Sequence, residues 1–144
     1  MSVEENKAIV RRLTEEGFAG GSIAVIDEAL APNYAYHSAS GGPSESRDRE
    51  WMKRVIRQLH EGLPDVSIVI EDMFGEGDRV VTRFVQRGTL RGDLPWGPHG
   101  AVMRATGKQV EFGGIVISRI AGGKVVEDWE VMDFPRLWIQ LGAL

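Results

Sequence analysis

Gly122 and Gly123 open the run Lys124-Val125-Val126-Glu127-Asp128-Trp129-Glu130-Val131-Met132-Asp133-Phe134, which reads as a tight turn feeding a long strand. Side chains alternate across a strand. Regular alternation puts Val126, Asp128, Glu130 and Met132 on one face, and Val125, Glu127, Trp129, Val131 and Asp133 on the other. Two carboxylates between Val126 and Met132 are either a solvated stripe or acid/base groups in an apolar pocket. Whatever this chain folds into must place that strand so that one of these readings holds.

The rest of the second half is also sheet-like. Residues 66–74 are rich in Val and Ile, Gly75-Glu76-Gly77-Asp78 is a hairpin turn, and residues 79–89 form the partner strand. Residues 110–120 make a further strand, which Ala121-Gly122-Gly123-Lys124 turns into the strand over 125–134. The first half is helical. Ser2 with Glu5 has the form of a capping box, and Ile9, Val10, Leu13 and Phe18 follow at helical spacing up to Gly20-Gly21. A short helix runs from Ser22 through Ile23, Ile26 and Leu30 and stops at Pro32. Tyr34-Ala35-Tyr36-His37 is extended, residues 40–44 are a loop by composition, and a helix over 45–60 carries Trp51, Val55, Ile56 and Leu59. Pro135 opens a last short helix. Helices followed by an antiparallel meander give an α+β fold with the helices on one face of a curved sheet, in a single domain over 1–144.

Composition narrows the function. With 42% hydrophobic and 26% charged residues, 144 residues suffice for a packed core. A net charge of −4 and a pI near 5.4 argue against a nucleic-acid partner. The basic cluster Arg47, Arg49, Lys53, Arg54 and Arg57 is interrupted by Asp48, Glu50 and Glu61 and reads as a solvated helix side. The absence of cysteine excludes thiol chemistry, and His37, His60 and His99 lack the spacing of metal ligands. No apolar stretch approaches membrane-spanning length, so a soluble cytoplasmic protein is expected.

Several pieces in a fixed order resemble the SnoaL-like polyketide cyclases, within the wider nuclear-transport-factor-2-like group. They are Asn6-Lys7-Ala8-Ile9-Val10-Arg11-Arg12, Leu30-Ala31-Pro32-Asn33-Tyr34, Ile70-Glu71-Asp72, Arg87-Gly88-Thr89, Thr106-Gly107-Lys108, Arg119-Ile120-Ala121-Gly122-Gly123-Lys124 and Gln140-Leu141-Gly142. The resemblance implies a cone-shaped α+β barrel, its mainly antiparallel sheet wrapped around N-terminal helices. It implies an intramolecular aldol closure on a small hydrophobic carbonyl compound, with no metal and no cofactor. An aspartate on the last long strand and a histidine on the preceding one serve that reaction in the family. By the resemblance Glu130 takes the aspartate position and Val116 the histidine position, so both depart from the cyclase pattern.

Two readings of Glu130 follow. It is a surface carboxylate paired with Arg83 or Arg119, or a pocket base whose pKa is raised by Val116, Phe112 and Met132. Asp128 is a second pocket carboxylate or a rim residue. His37 is a candidate third catalytic group if it faces the cone mouth, where it would supply the donor that Val116 lacks. Tyr34 and Tyr36 offer hydroxyls to a ligand, and Trp51 and Phe84 are core or pocket wall. Residues 90–106 form a long loop of the lid or binding type, in which an exposed Trp96 needs a partner and His99 reaches a pocket only if the loop folds over it. Trp129, with Val125, Val131, Ile115 and Ile117, makes an apolar outer face suited to homodimerisation. A non-catalytic small-molecule-binding domain and a structural dimer module are the competing functions.

Overall fold

The Glu5 N–H donates to the Ser2 hydroxyl, and the Ser2 N–H donates to the Glu5 carboxylate, so the expected capping box does start α1 (Val3–Arg12). The computed structural model describes residues 1–39 and 45–143; the loop expected over 40–44 lies outside them. The helix continues beyond Arg12 as a π-helical stretch, Leu13–Ala19, in which Leu13 and Thr14 are buried. Ser22 caps α2 (Ile23–Ala29) through the Val25 N–H.

Leu30 does not extend that helix. It begins β1 (Leu30–Ser38), and the chain passes Pro32 in extended form. Pro32 is tolerated because β1 is an edge strand and its pairing with β5 slips between Leu30 and Ala35. The next helix starts later than expected, with Asp48 as its N-cap: α3 is Arg49–Gly62 and buries Met52, Ile56 and Leu59.

The sheet follows as β2 (Ser67–Glu76), β3 (Arg79–Thr89), β4 (Gln109–Ala121) and β5 (Lys124–Met132). Strand order is β1-β5-β4-β3-β2. β1 runs parallel to β5 and the other pairs are antiparallel, so the fold is α+β with a mixed, mainly antiparallel sheet. The sheet is curved but not closed; β1 and β2 remain edges. Asp133 then caps α4 (Phe134–Gln140).

Regular alternation fails at the start of β5. Arg119 pairs with Glu127 while Ile120 pairs with Val125, so Val126 is an extra residue in a β-bulge. The consequence corrects the sequence reading. Val125 is completely buried in the core and is not part of the outer face, whereas Asp128 and Met132 still point inward. The bulge lets one strand anchor the core at its first residues and present carboxylates further on.

The helices cover only the inner face. Val10, Leu13, Ile26, Met52 and Ile56 pack with Tyr34, Tyr36, Val80 and Val125 in one cluster. Leu59, Leu63, Phe84, Phe112, Met132 and Leu137 form a second, toward α4. On the opposite side Val69, Ile115 and Val131 remain exposed.

Candidate active site

A cavity of about 260 Å³ lies between the two clusters. Val10, Leu13, Thr14 and Phe18 line it from the N-terminal helix, and Trp51, Met52, Val55, Ile56 and Leu59 from α3. Phe84, Val116 and Met132 form the sheet wall, with Phe134 and Trp96 at one end. Ser38 and Glu45, the exposed members of the lining, mark where it opens.

Glu130 and Asp128 both enter this cavity. Each is held by one tyrosine of the parallel neighbour strand. Tyr36 Oη donates to Glu130 Oε1 at 2.7 Å, and Tyr34 Oη donates to Asp128 Oδ2 at 2.6 Å. In register Tyr36 lies beside Asp128, so each phenol reaches one row further along to its acceptor. Neither arginine considered for Glu130 is available: Arg83 pairs with Asp72, and Arg119 with Glu127.

The surroundings set the protonation. Burial against apolar walls raises Glu130 to about 7, assisted by the nearby Asp128 charge and opposed by the Tyr36 hydrogen bond. Burial raises Asp128 to about 6, opposed by hydrogen bonds from Ser118 and Tyr34. Glu130 is only half-buried by exposure, but it opens onto the cavity. Asp128 is buried outright, and its Oδ1 has no hydrogen-bond partner among the described residues. Both phenols are pushed upward by burial and the adjacent carboxylates, so they stay protonated donors.

These shifts fix a pH dependence of stability. Because both carboxyls are raised, the folded state holds protons that the unfolded chain releases above its ordinary carboxylate range. The associated stability is fully present below about pH 4 and is lost as pH rises through 6 and 7. The melting temperature is expected to fall by about 5 °C or more between pH 5 and pH 8. Glu130→Gln should remove a substantial part of that fall; an unchanged slope by calorimetry would show that Glu130 is not desolvated.

The other expected site residues separate by position. Tyr36, Trp51, Phe84, Trp96, Val116 and Met132 line the cavity. Tyr34 and Phe112 stand behind it, Tyr34 as the Asp128 donor and Phe112 in the core. His37 is not at the mouth. Tyr34 and Tyr36 face inward, so alternation turns His37 to the outer face. There its Nε2 lies 2.7 Å from Glu127 Oε2, and its ring stacks on Trp129 at 5.6 Å.

The long connection over 90–106 is pinned down. Leu94 and Met103 form a buried bridge, Trp96 Nε1 donates to Gln58, and Trp138 Nε1 donates to the Trp96 carbonyl. Trp96 thus finds intramolecular partners, while His99 stays exposed and outside the lining. Among the described residues no three His, Asp or Glu side chains group as metal ligands. No helix among them is long and apolar enough to cross a membrane. Arg47, expected on a solvated helix side, instead precedes α3, bridges to Tyr36 and lines the cavity. Ser118 and Gln86, which the sequence reading did not name as site residues, line it too. Strand parity with Val116 and Phe84 was the signal that could have found these two.

The sequence profile of the SnoaL-like polyketide cyclases matches residues 8–141. The chain belongs to that family. Solved structures agree. IdmH of Streptomyces antibioticus, a proposed polyketide cyclase, superposes with a TM-score of 0.78 at 29% identity, covering 95% of this chain and 98% of that one. A protein of Acidithiobacillus ferrooxidans gives 0.78 at 28% identity, with 100% of both chains covered. An epoxide hydrolase of M. tuberculosis shares the fold at 14% identity, with a TM-score of 0.70 over 96% of this chain and 86% of that one. No curated protein matches the chain significantly. Within this SnoaL-like fold Val116 lies directly opposite Glu130 in register. Val116 therefore presents an aliphatic side chain to the carboxylate.

Proposed function

We propose that this SnoaL-like protein performs cofactor-free proton transfer on a small hydrophobic carbonyl compound, leading to aldol cyclisation or isomerisation. The observation that carries this reading is Glu130: a carboxyl with a pKa near 7, set in an apolar cavity, held by a phenol and by no cation among the described residues. A group poised there is abundant both as base and as acid at neutral pH. Glu130 takes a proton from the carbon next to the ligand carbonyl. The C–H electron pair moves into the new C=C bond and the carbonyl π pair onto oxygen. The enolate carbon then attacks a second carbonyl of the same molecule, the first carbonyl reforms and the new alkoxide oxygen takes up the proton held by Glu130, or that proton returns at another carbon.

Tyr36 orients Glu130, and a hydrogen bond from the exposed Ser38 to Tyr36 extends this arrangement toward solvent. Asp128 keeps Glu130 raised by its charge and is the second group able to return a proton. The test is α-proton exchange of 2-tetralone in D2O, followed by NMR with wild type and Glu130→Gln.

Val116 favours a second reading. The family's histidine would have donated to an enolate oxygen, and its replacement leaves a binding domain without that donor. Saturable binding of 2-tetralone without exchange above the buffer rate would select this reading.

The outer sheet face supports a homodimer. Ile115 pairs with Val131, both exposed, and Val69 pairs with Val85 beside them. The Arg83–Asp72 and Arg87–Glu111 pairs flank this patch, so both signs of charge are present for a two-fold-related copy. Sedimentation should give a dimer for the wild type and a monomer for Val131→Lys; a monomeric wild type would refute the assignment.

A further inference from the structure

Gln86 is 6% exposed, on the inner face of β3, and lines the cavity. Its neighbours in register are apolar: Ile68 on β2 and Phe112 on β4. Among the described residues its amide makes no side-chain hydrogen bond, whereas Asp128 in the same lining is bonded to Tyr34; Thr82, another inward polar side chain of β3, is also unpartnered but lies outside the lining. A buried amide without a partner is unfavourable, and a methionine of similar size would fill the same wall without that cost. The amide therefore meets the cavity with its hydrogen-bonding capacity unused.

We propose that Gln86 is the distal polar anchor of the ligand, binding a hydroxyl or carbonyl oxygen at the end of the cavity away from Glu130. This rests on the cavity being a ligand site, but not on Glu130 being catalytic. Glu130 pairs with Val116, which pairs with Thr82; Gln86 lies four residues further along β3. That offset is roughly 13 Å along the strand, shortened by two long side chains reaching inward. Between the two rows the wall is Phe84 and Met132, closed over Gly114, where a Cβ would lie 2.7 Å from Met132 Sδ. The site thus fits a rigid apolar skeleton of about two fused rings with an oxygen at each end. One end presents the reacting carbonyl and the other is read by an amide that can donate or accept.

The test compares 2-tetralone with 6-hydroxy-2-tetralone, which differ by one hydroxyl distal to the carbonyl, by titration calorimetry. Wild type should bind the hydroxylated compound about 5- to 10-fold tighter. Gln86→Met should bind 2-tetralone as the wild type does but lose the preference. Glu130→Gln should keep it, even where proton exchange is lost. Because Gln86→Met breaks no hydrogen bond within the described protein, its melting temperature should stay close to that of the wild type. Equal affinities in the wild type, binding of neither compound, or equal weakening of both in Gln86→Met would overturn the proposal. Failure of exchange alone, with the preference intact, would count against the proposed reaction and leave Gln86 as the anchor.

Discussion

Glu130→Gln should slow α-proton exchange by about 10²–10⁴-fold, the range that a positioned general base contributes. Glutamine keeps an oxygen for the Tyr36 hydroxyl and nearly the same volume, so the cavity and its binding of 2-tetralone should persist. What disappears is the titrating oxygen. In the wild type the rate should rise with pH to a plateau above about 7, because burial raises the Glu130 carboxyl to that value and only the ionised form removes a proton. Exchange by Glu130→Gln at the wild-type rate, or a wild-type profile that is flat between pH 5 and 8, would remove Glu130 from the chemistry. Stability changes in the opposite direction, since at pH 8 the variant no longer carries a desolvated charge. Lost exchange in a protein that melts higher at pH 8 would therefore separate a catalytic defect from a folding one.

Gly113→Ala should have a large effect on stability. A Cβ at Gly113 would lie 2.3 Å from the Phe84 carbonyl oxygen and 3.4 Å from the Val85 Cα. Both are backbone atoms of the neighbouring strand, so no side chain can swing away. β3 and β4 would have to separate where Gly113 also accepts the Asp133 N–H at 2.8 Å, the bond that leads into α4. A cost of about 3 kcal/mol is expected. For a chain of this size that lowers the melting temperature by roughly 6–12 °C. An unchanged melting temperature would mean that the strands already have room there. The prediction bears on function, because Phe84 and Met132 hold the cavity wall beside this pair of glycines.

Local signals carried much of the architecture. The Ser2 capping box appears where local chemistry puts it, and of the helix stripe read as Trp51, Val55, Ile56 and Leu59 the last two are buried, with Met52 in place of the half-buried Trp51 and Val55. The Gly122-Gly123 turn also falls where local chemistry puts it, both residues having positive φ. Errors arose where distant partners decide. Pro32 stops a helix in isolation but is accommodated at a sheet edge. Val125 lies on the inner face because a bulge at Val126 against β4 resets the alternation, and nothing near it in sequence announces it. His37 is a different case. Tyr34, Tyr36 and His37 could not all face one cavity, because alternation forbids it. Glu130 was legible through strand parity combined with family resemblance. Its elevated pKa was legible only as one of two readings, since the choice between them depends on which walls close around it.

The two tyrosine–carboxylate pairs have one further consequence. Tyr34 with Asp128 and Tyr36 with Glu130 are the same motif, displaced by two residues in both strands. The arrangement has translational symmetry along the β1–β5 seam, with a step of roughly 7 Å. The two inward-facing carboxyls therefore stand one such step apart along the cavity. Each copy keeps the same kind of donor on the same backbone, so the depth at which a tyrosine-held carboxyl meets the cavity is set in discrete steps.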